Sequence, residues 1–291
     1  GAYFGDRCSP ASSSAALVAA ETGTTLYDNL RNMFRTGVLP VALTVIVYGV
    51  LSVRHPITAV DESLLQALRD SAVISLWALL PAVIMLALPL VKVPVLISIA
   101  LSVAAAGTVS VLVQGMTVWD MLKTALLGYY PTAGQLKDIL SGGGIVSMAK
   151  PAALVFTTGL LAGLLEGTGV LKGAAGLVEK LANRWGSFAA SVAVSLGAGM
   201  IFCNQSVAIV MGNQLLRRCY TDHNEQAVDM ENSGIVLSAL IPWNIACSIP
   251  LVMLEVNERA IPYAVLLYMI PLVYGLTKQW VYPAERQAMK E

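Results

Sequence analysis

The chain has 291 residues, 56% of them hydrophobic and only 12% charged, and its 18 basic and 18 acidic side chains cancel. Soluble domains carry about a quarter charged residues, so half of the usual solvating charge is missing and a water-soluble globule is excluded. The even balance also leaves neither a basic field for nucleic acid nor an acidic tail, and no nucleic-acid partner is expected.

The sequence starts at Gly1 rather than Met, without a signal peptide or polar leader, and enters directly on GDRCSPASSS (5–14). It is expected to be the C-terminal part of a longer protein. Residues 11–20 (ASSSAALVAA) read as a half-helix too short to cross a bilayer alone, since a span needs about 20 apolar residues. TTLYDNLRNMFR (24–35) places Leu26, Leu30, Met33 and Phe34 at helical spacing and is expected to lie along the membrane interface. Runs without any Asp, Glu, Lys or Arg follow at 37–53, 71–91, 93–119, 185–216, 232–254 and 260–277, and 151–171 contains only Glu166. Without strand-like alternation these read as transmembrane helices rather than a barrel.

Three of the segments are interrupted. ILSGGGIVSM (139–148) holds three successive glycines, each costing a helix about 1 kcal/mol relative to alanine, and reads as a re-entrant turn or interface loop. The run 185–216 is too long for one span, and GAGMIFCNQS (197–206) divides it into a helix, a break and a second helix. IPWN (241–244) interrupts 232–254, because Pro242 removes a helical hydrogen bond. Broken helices at membrane depth are tolerated where the freed backbone lines a cavity and binds ions. Phe4-Gly5-Asp6 with Ser9 echoes Phe202-Cys203-Asn204 with Ser206, and each is followed by an apolar run with an early proline, Pro40 and Pro242. The echo points to two related halves.

Asp6 beside Ser9, Ser12, Ser13 and Ser14 offers the hard oxygen ligands of an alkali cation, and its carboxyl can also take a proton. The competing reading is an Asp6–Arg7 pair at an interface, with the serines capping or packing the half-helix. Asn204, Gln205 and Ser206 form a second polar cluster at mid-membrane, serving as ligands or as an interhelical clamp. Glu231, Asn232 and Ser233 open a span, and Asn244 follows the break at Pro242. Glu166 is either an intramembrane acid that carries a proton or an interfacial residue ahead of Gly167-Thr168-Gly169. The four cysteines and two histidines show no metal-ligand spacing, and no catalytic signature stands in a believable context.

Five stretches in order, GAYFGDRCSPASSSAALVAAETGT, GGGIVSM, LLEGTGVL, FCNQSVAIVMGNQL and ENSGIVLSALIPWN, resemble the NhaC-type sodium/proton antiporters over about residues 1–255. The resemblance implies an all-α, multi-pass membrane protein with an inverted-repeat, ion-transporter-like fold containing broken helices and re-entrant segments. It implies one transmembrane transporter domain over 1–291, incomplete at its N-terminus, with 1–70 ending a first repeat and 71–291 holding connecting spans and the second. The implied activity is exchange of sodium ions for protons across the cytoplasmic membrane, with Asp6 as shared carrier, without an enzymatic step or resident cofactor. Partners are the lipid bilayer, the transported ions and a second copy in a homodimer. By this match the ion or substrate site comprises Asp6, Ser9, Ser12, Ser13, Ser14, Asn204, Gln205, Glu231, Asn232 and Asn244; the residue reading adds Ser206 as a ligand and Glu166 as a proton carrier. Many relatives carry an SDTT-like stretch where this chain reads SSSA (12–15), and related members exchange organic anions or amino acids. Two alternatives therefore stand beside sodium–proton exchange: a small organic substrate in the same fold, or a truncated non-transporting module.

Overall fold

The computed structural model describes residues 2–10, 12–55, 73–91, 93–130, 141–168, 170–254 and 256–281, and these are helical throughout, with a single isolated β-bridge, Tyr129 to Gly142. The connector acids Asp61, Glu62 and Asp70 lie outside the described residues. The chain divides into two units, residues 55–154 and the remainder.

In the smaller unit, α4 (Leu80–Leu90) follows a 3-10 turn and packs on α5 (Val95–Leu112), where Ser102 donates to the Pro81 carbonyl at 2.8 Å. The side-chain amide of Gln114 clamps both backbone groups of Val73 at 2.9 Å. Thr117 caps α6 (Val118–Leu127) by accepting from the Asp120 N–H. The glycine-rich stretch forms a turn and a single helical turn, α7 (Gly144–Ser147), and Gly142, Gly143 and Gly144 all take positive φ. Side chains rarely adopt that conformation, which accounts for three glycines in a row.

α8 (Ala149–Gly167) passes from this unit into the larger one, which holds every other element. There α1 (Ala2–Cys8) and α2 (Ser13–Thr22) flank a break at Ser9–Ser12, and Gly23 ends α2 in the left-handed conformation. α3 (Leu26–Arg54) runs unbroken for 29 residues, so the stretch expected along the interface and the following span are one helix. One stripe explains this: Asn29, Met33, Thr36, Gly37, Pro40 and Thr44 recur at helical spacing and are buried, while Val38, Val45, Ile46 and Val53 face outward. Pro40 sits inside the helix without ending it. α3 is long and apolar enough to cross a membrane, as is α5.

α9 (Val170–Trp185) leads into α10 (Ser187–Phe202) and α11 (Gln205–Leu216). These two fold back on each other: Val194 lies 3.8 Å from where a Gly212 side chain would begin, and Ala198 and Ala208 share a core cluster. The run 185–216 is thus a helical hairpin. Its tip turns at Cys203, the one non-glycine residue with positive φ among those described. α12 (His223–Leu237) then crosses the centre of the unit, with every residue from Gln226 to Leu237 buried. A 3-10 turn and the segment 241–244 follow, and α13 (Ile245–Met253) departs at a bend of 52°. α14 (Val265–Val281) packs along α12 and α3.

Orientations follow from the hydrogen bonds. Gln205 donates to the same Asp6 carboxylate that Ser12 and Ser14 hold at the N-terminal end of α2, and Asn213 donates to Glu21 at its C-terminal end, so α2 and α11 run parallel. Gln205 also reaches the Ile235 carbonyl while Asn213 reaches Gln226, so α12 runs opposite to both. The two segments joined by the sequence echo therefore meet side by side, but not with opposite orientation. The break that does run against α1–α2 is the one between α12 and α13.

Candidate functional site

The first break is organised around a carboxylate. Ser12 caps α2 by accepting from the Ala15 N–H at 3.1 Å, and its own hydroxyl donates to Asp6 Oδ1 at 3.0 Å. Ser14, the second residue of the helix, donates to Oδ2 at 3.2 Å. From the hairpin, the first residue of α11 completes the shell: Gln205 Nε2 donates to Oδ2 at 3.0 Å and to the Ile235 carbonyl at 3.0 Å. Two parallel helices thus bring their N-termini together at Asp6, where unpaired N–H groups and the helix dipoles favour negative charge. Asp6 is half-buried. Every group around it is neutral, and each hydroxyl can turn a lone pair towards a cation that approaches the carboxylate.

Arg7 is not the partner of Asp6. It is fully buried, and its guanidinium is spread over the Met33 carbonyl at 3.0 Å, Thr36 at 2.8 Å and Asn232 Oδ1 at 2.5 Å, with Cys8 Sγ at 3.4 Å. The guanidinium ties α1 to α3 and α12, next to the turn that holds Asp6. Gly37 makes room for it, since a β-carbon there would stand 2.8 Å from Arg7 Nη1. Gly37→Ala is expected to destabilise the protein by about 1–3 kcal/mol, the usual range for overpacking. Gly49→Ala, in the same helix with nothing within 4 Å, is the control that should not. Thermal unfolding in detergent would separate the two.

The second break is a clasp on the hairpin tip. Asn244 Nδ2 donates to the Gly199 carbonyl at 2.9 Å, Trp243 Nε1 to Met200 at 3.0 Å and the Ile245 N–H to Cys203 at 2.9 Å. These carbonyls belong to the end of α10, which has no helical donors for them. Asn244 Oδ1 meanwhile caps α13 through the Ala246 N–H at 3.0 Å. Asn204 is occupied in the same way, capping α11 through the N–H groups of Ser206 and Val207. Both asparagines hold helix ends in place.

Of the residues singled out by sequence, Asp6, Ser12, Ser14 and Gln205 come together in one shell. Ser9 lies in the turn of the first break, where its carbonyl accepts from the Ser12 N–H at 3.0 Å. Ser13 and Ser206 are exposed, on the far sides of their helices. Glu231 and Asn232 are fully buried in α12, close to Arg7 rather than to Asp6. Glu166 lies within α8, but its side chain is outside the described residues.

One group escaped the sequence reading altogether. Lys278, in the last turn of α14, is buried against Asp229 Oδ2 at 2.5 Å, Ser187 Oγ at 2.6 Å and Glu225 Oε1 at 2.8 Å. Tyr220 and Tyr274 donate to the two Asp229 oxygens at 2.6 and 2.8 Å. From there hydroxyls run along the contact of α10 with α12, Ser191 to Ser233 at 2.8 Å and Ser195 to Ser233 at 3.1 Å. The available signal was the spacing of Ser187, Ser191 and Ser195 on one helical face. Lys278 stands one position beyond an uncharged run, at the expected end of a span.

The family model described as the Na+/H+ antiporter family matches residues 1–277. The chain is 26% identical over 255 residues to the malate-2H(+)/Na(+)-lactate antiporter of Bacillus subtilis (strain 168), covering 84% of this chain and 54% of the relative. It is 24% identical over 286 residues to the Na(+)/H(+) antiporter NhaC of the same organism, covering 94% and 63%. It is 27% identical over 259 residues to the arginine/ornithine antiporter ArcD of Halobacterium salinarum, covering 84% and 53%. The chain therefore spans between half and two thirds of the length of these relatives. No solved structure matches it. With apolar helices and a family match that runs from α1 into α14, this chain belongs to the Na+/H+ antiporter family of membrane transporters.

Proposed function

We propose that the chain forms the ion-binding part of a multi-pass secondary antiporter that exchanges sodium ions for protons across the cytoplasmic membrane. The observation that carries this reading is the Asp6 carboxylate, ringed by Ser12, Ser14 and Gln205 where two helix N-termini converge. A singly charged carboxylate with two hydroxyl oxygens beside it suits an alkali cation. Broken and re-entrant helices are the usual setting for such a site in secondary transporters. We also read α1–α2–α3 and α12–α13–α14 as inverted counterparts, supported by the opposed directions of α2 and α12. No cofactor or catalytic step enters this scheme. The test is sodium-driven pH change in vesicles holding the full-length protein, and a wild-type protein that moves no protons against a sodium gradient would overturn it.

A second reading is exchange of a small organic acid or amino acid on the same scaffold. It is favoured by the malate/lactate and arginine/ornithine relatives and by the neutral serines at 12–14. Counterflow of labelled malate, lactate or arginine in the same vesicles distinguishes it.

A further inference from the structure

Among the described residues, four buried side-chain atoms lack a hydrogen-bond partner: Arg7 Nε, Asn29 Oδ1 and both carboxyl oxygens of Glu231. They belong to one junction, where α1, α3 and α12 meet. Buried polar groups are almost always paired, so four orphans in one place call for a physical reason. Resting on the reading of the chain as a cation–proton exchanger, we infer that Glu231, enclosed by Arg7 and Asn29, is the proton-binding group of the exchange cycle, separate from the ion-binding carboxylate Asp6.

Glu231 is fully shielded from solvent and sits in the middle of the most buried helix of the unit. An ionised carboxylate in such a place draws charged donors to itself, because unpaired buried charge is very costly. Here the four guanidinium N–H bonds on Arg7 Nη1 and Nη2 are directed instead at the Met33 carbonyl, Thr36, Asn232 and Cys8. That arrangement fits an uncharged acid. Asn29, beside the carboxyl, suits both states of it. Its side chain has an acceptor end for the protonated acid and a donor end for the carboxylate. The donor end now bonds Thr24 Oγ1 at 2.8 Å, a hydroxyl that can accept or donate as the amide turns. When the proton leaves to water on the open side of the membrane, the carboxylate left behind takes the free Nε–H of Arg7.

The titratable surroundings are few. Arg7 and Cys8 of α1 act on Glu231, Tyr274 of α14 acts on the guanidinium while donating to Asp229, and Glu21 of α2 is engaged by Asn213 of α11. Charge then couples the two carboxyls. With Glu231 neutral, Asp6 and Arg7 sum to zero; a sodium ion at Asp6 adds one unit, and release of the Glu231 proton removes it. In a low-dielectric interior that exchange is favoured over either step alone. Because Arg7 adjoins Asp6 in α1, the guanidinium that would answer the lost proton also carries the ion-binding turn.

The experiment pairs a transport readout with a spectroscopic one. In vesicles of full-length protein, Glu231→Gln is expected to need more sodium for sodium–sodium counterflow, lose sodium-driven proton movement and flatten the pH profile of counterflow. In sodium-induced infrared difference spectra, the wild type is expected to lose a protonated-carboxyl C=O band as sodium binds, and Glu231→Gln to lack that band. Asn29→Leu, which leaves the acid in place without its amide, is expected to move the band and the pH profile, and serves if Glu231→Gln does not fold. Sodium-driven proton movement by Glu231→Gln with the wild-type pH profile, or a band unchanged in both variants, overturns the inference. A wild-type protein that shows the band but moves no protons would instead overturn the sodium–proton reading.

Discussion

Asp6→Asn is expected to fold normally and to reduce sodium exchange to the level of empty vesicles. Asparagine has nearly the same shape as aspartate, and one amide oxygen can still accept from Ser12, Ser14 or Gln205. What it lacks is the charge that offsets a dehydrated cation, and neutral oxygens alone hold sodium weakly. The flanking substitutions give the result its meaning. Ser12→Ala removes a donor to the carboxylate and the cap of α2, so it should weaken sodium binding and cost roughly 1 kcal/mol of stability. Ser13→Ala and Ser206→Ala change exposed side chains away from the shell and should leave exchange unaltered. If Asp6→Asn exchanges sodium at the wild-type rate, the carboxylate is structural and the assignment fails. Sodium uptake and thermal unfolding measured on the same preparations check both halves of the expectation.

Lys278→Met is expected to have the largest effect on stability, about 3–5 kcal/mol, the range seen when one partner of a buried ion pair is removed. The lysine side chain is 3% exposed and that of Asp229 is 0% exposed, so solvent cannot replace the lost partner. Asp229→Asn alone should also destabilise, since it leaves the ammonium against a neutral amide with only Glu225 as counter-ion. The double variant removes both charges and is expected to recover much of the loss, because the penalty comes from the charge left alone. Thermal unfolding of the four proteins in detergent gives the cycle. Strict additivity would show that the two residues act independently, contrary to the geometry.

The breaks were legible in the sequence because local chemistry makes them. Pro242 cannot donate to a helix, Gly142 to Gly144 favour positive φ, and a run such as 185–216 exceeds the thickness of a bilayer. The polar cluster at Asp6 was legible too, since an acid beside Ser12 and Ser14 in an uncharged neighbourhood needs a reason. Periodicity found the helix at Leu26 but not its continuity with the following span, because Asp28, Arg31 and Arg35 look interfacial although the stripe from Asn29 to Thr44 is continuous.

Composition and the order of uncharged runs determined by themselves that this is a helical membrane protein with interrupted helices. They also marked Asp6 and Gln205 as residues that need partners. Only the tertiary structure decided that those two share a shell, that Arg7 turns away from Asp6 towards Asn232, and that Lys278 closes on Asp229. The physical reason is separation along the chain: Asp6 and Gln205 stand 199 residues apart and Arg7 and Asn232 225 apart. Local sequence sets where a helix starts, stops and shows its polar face. Which polar faces are buried against each other depends on the packing of the whole bundle.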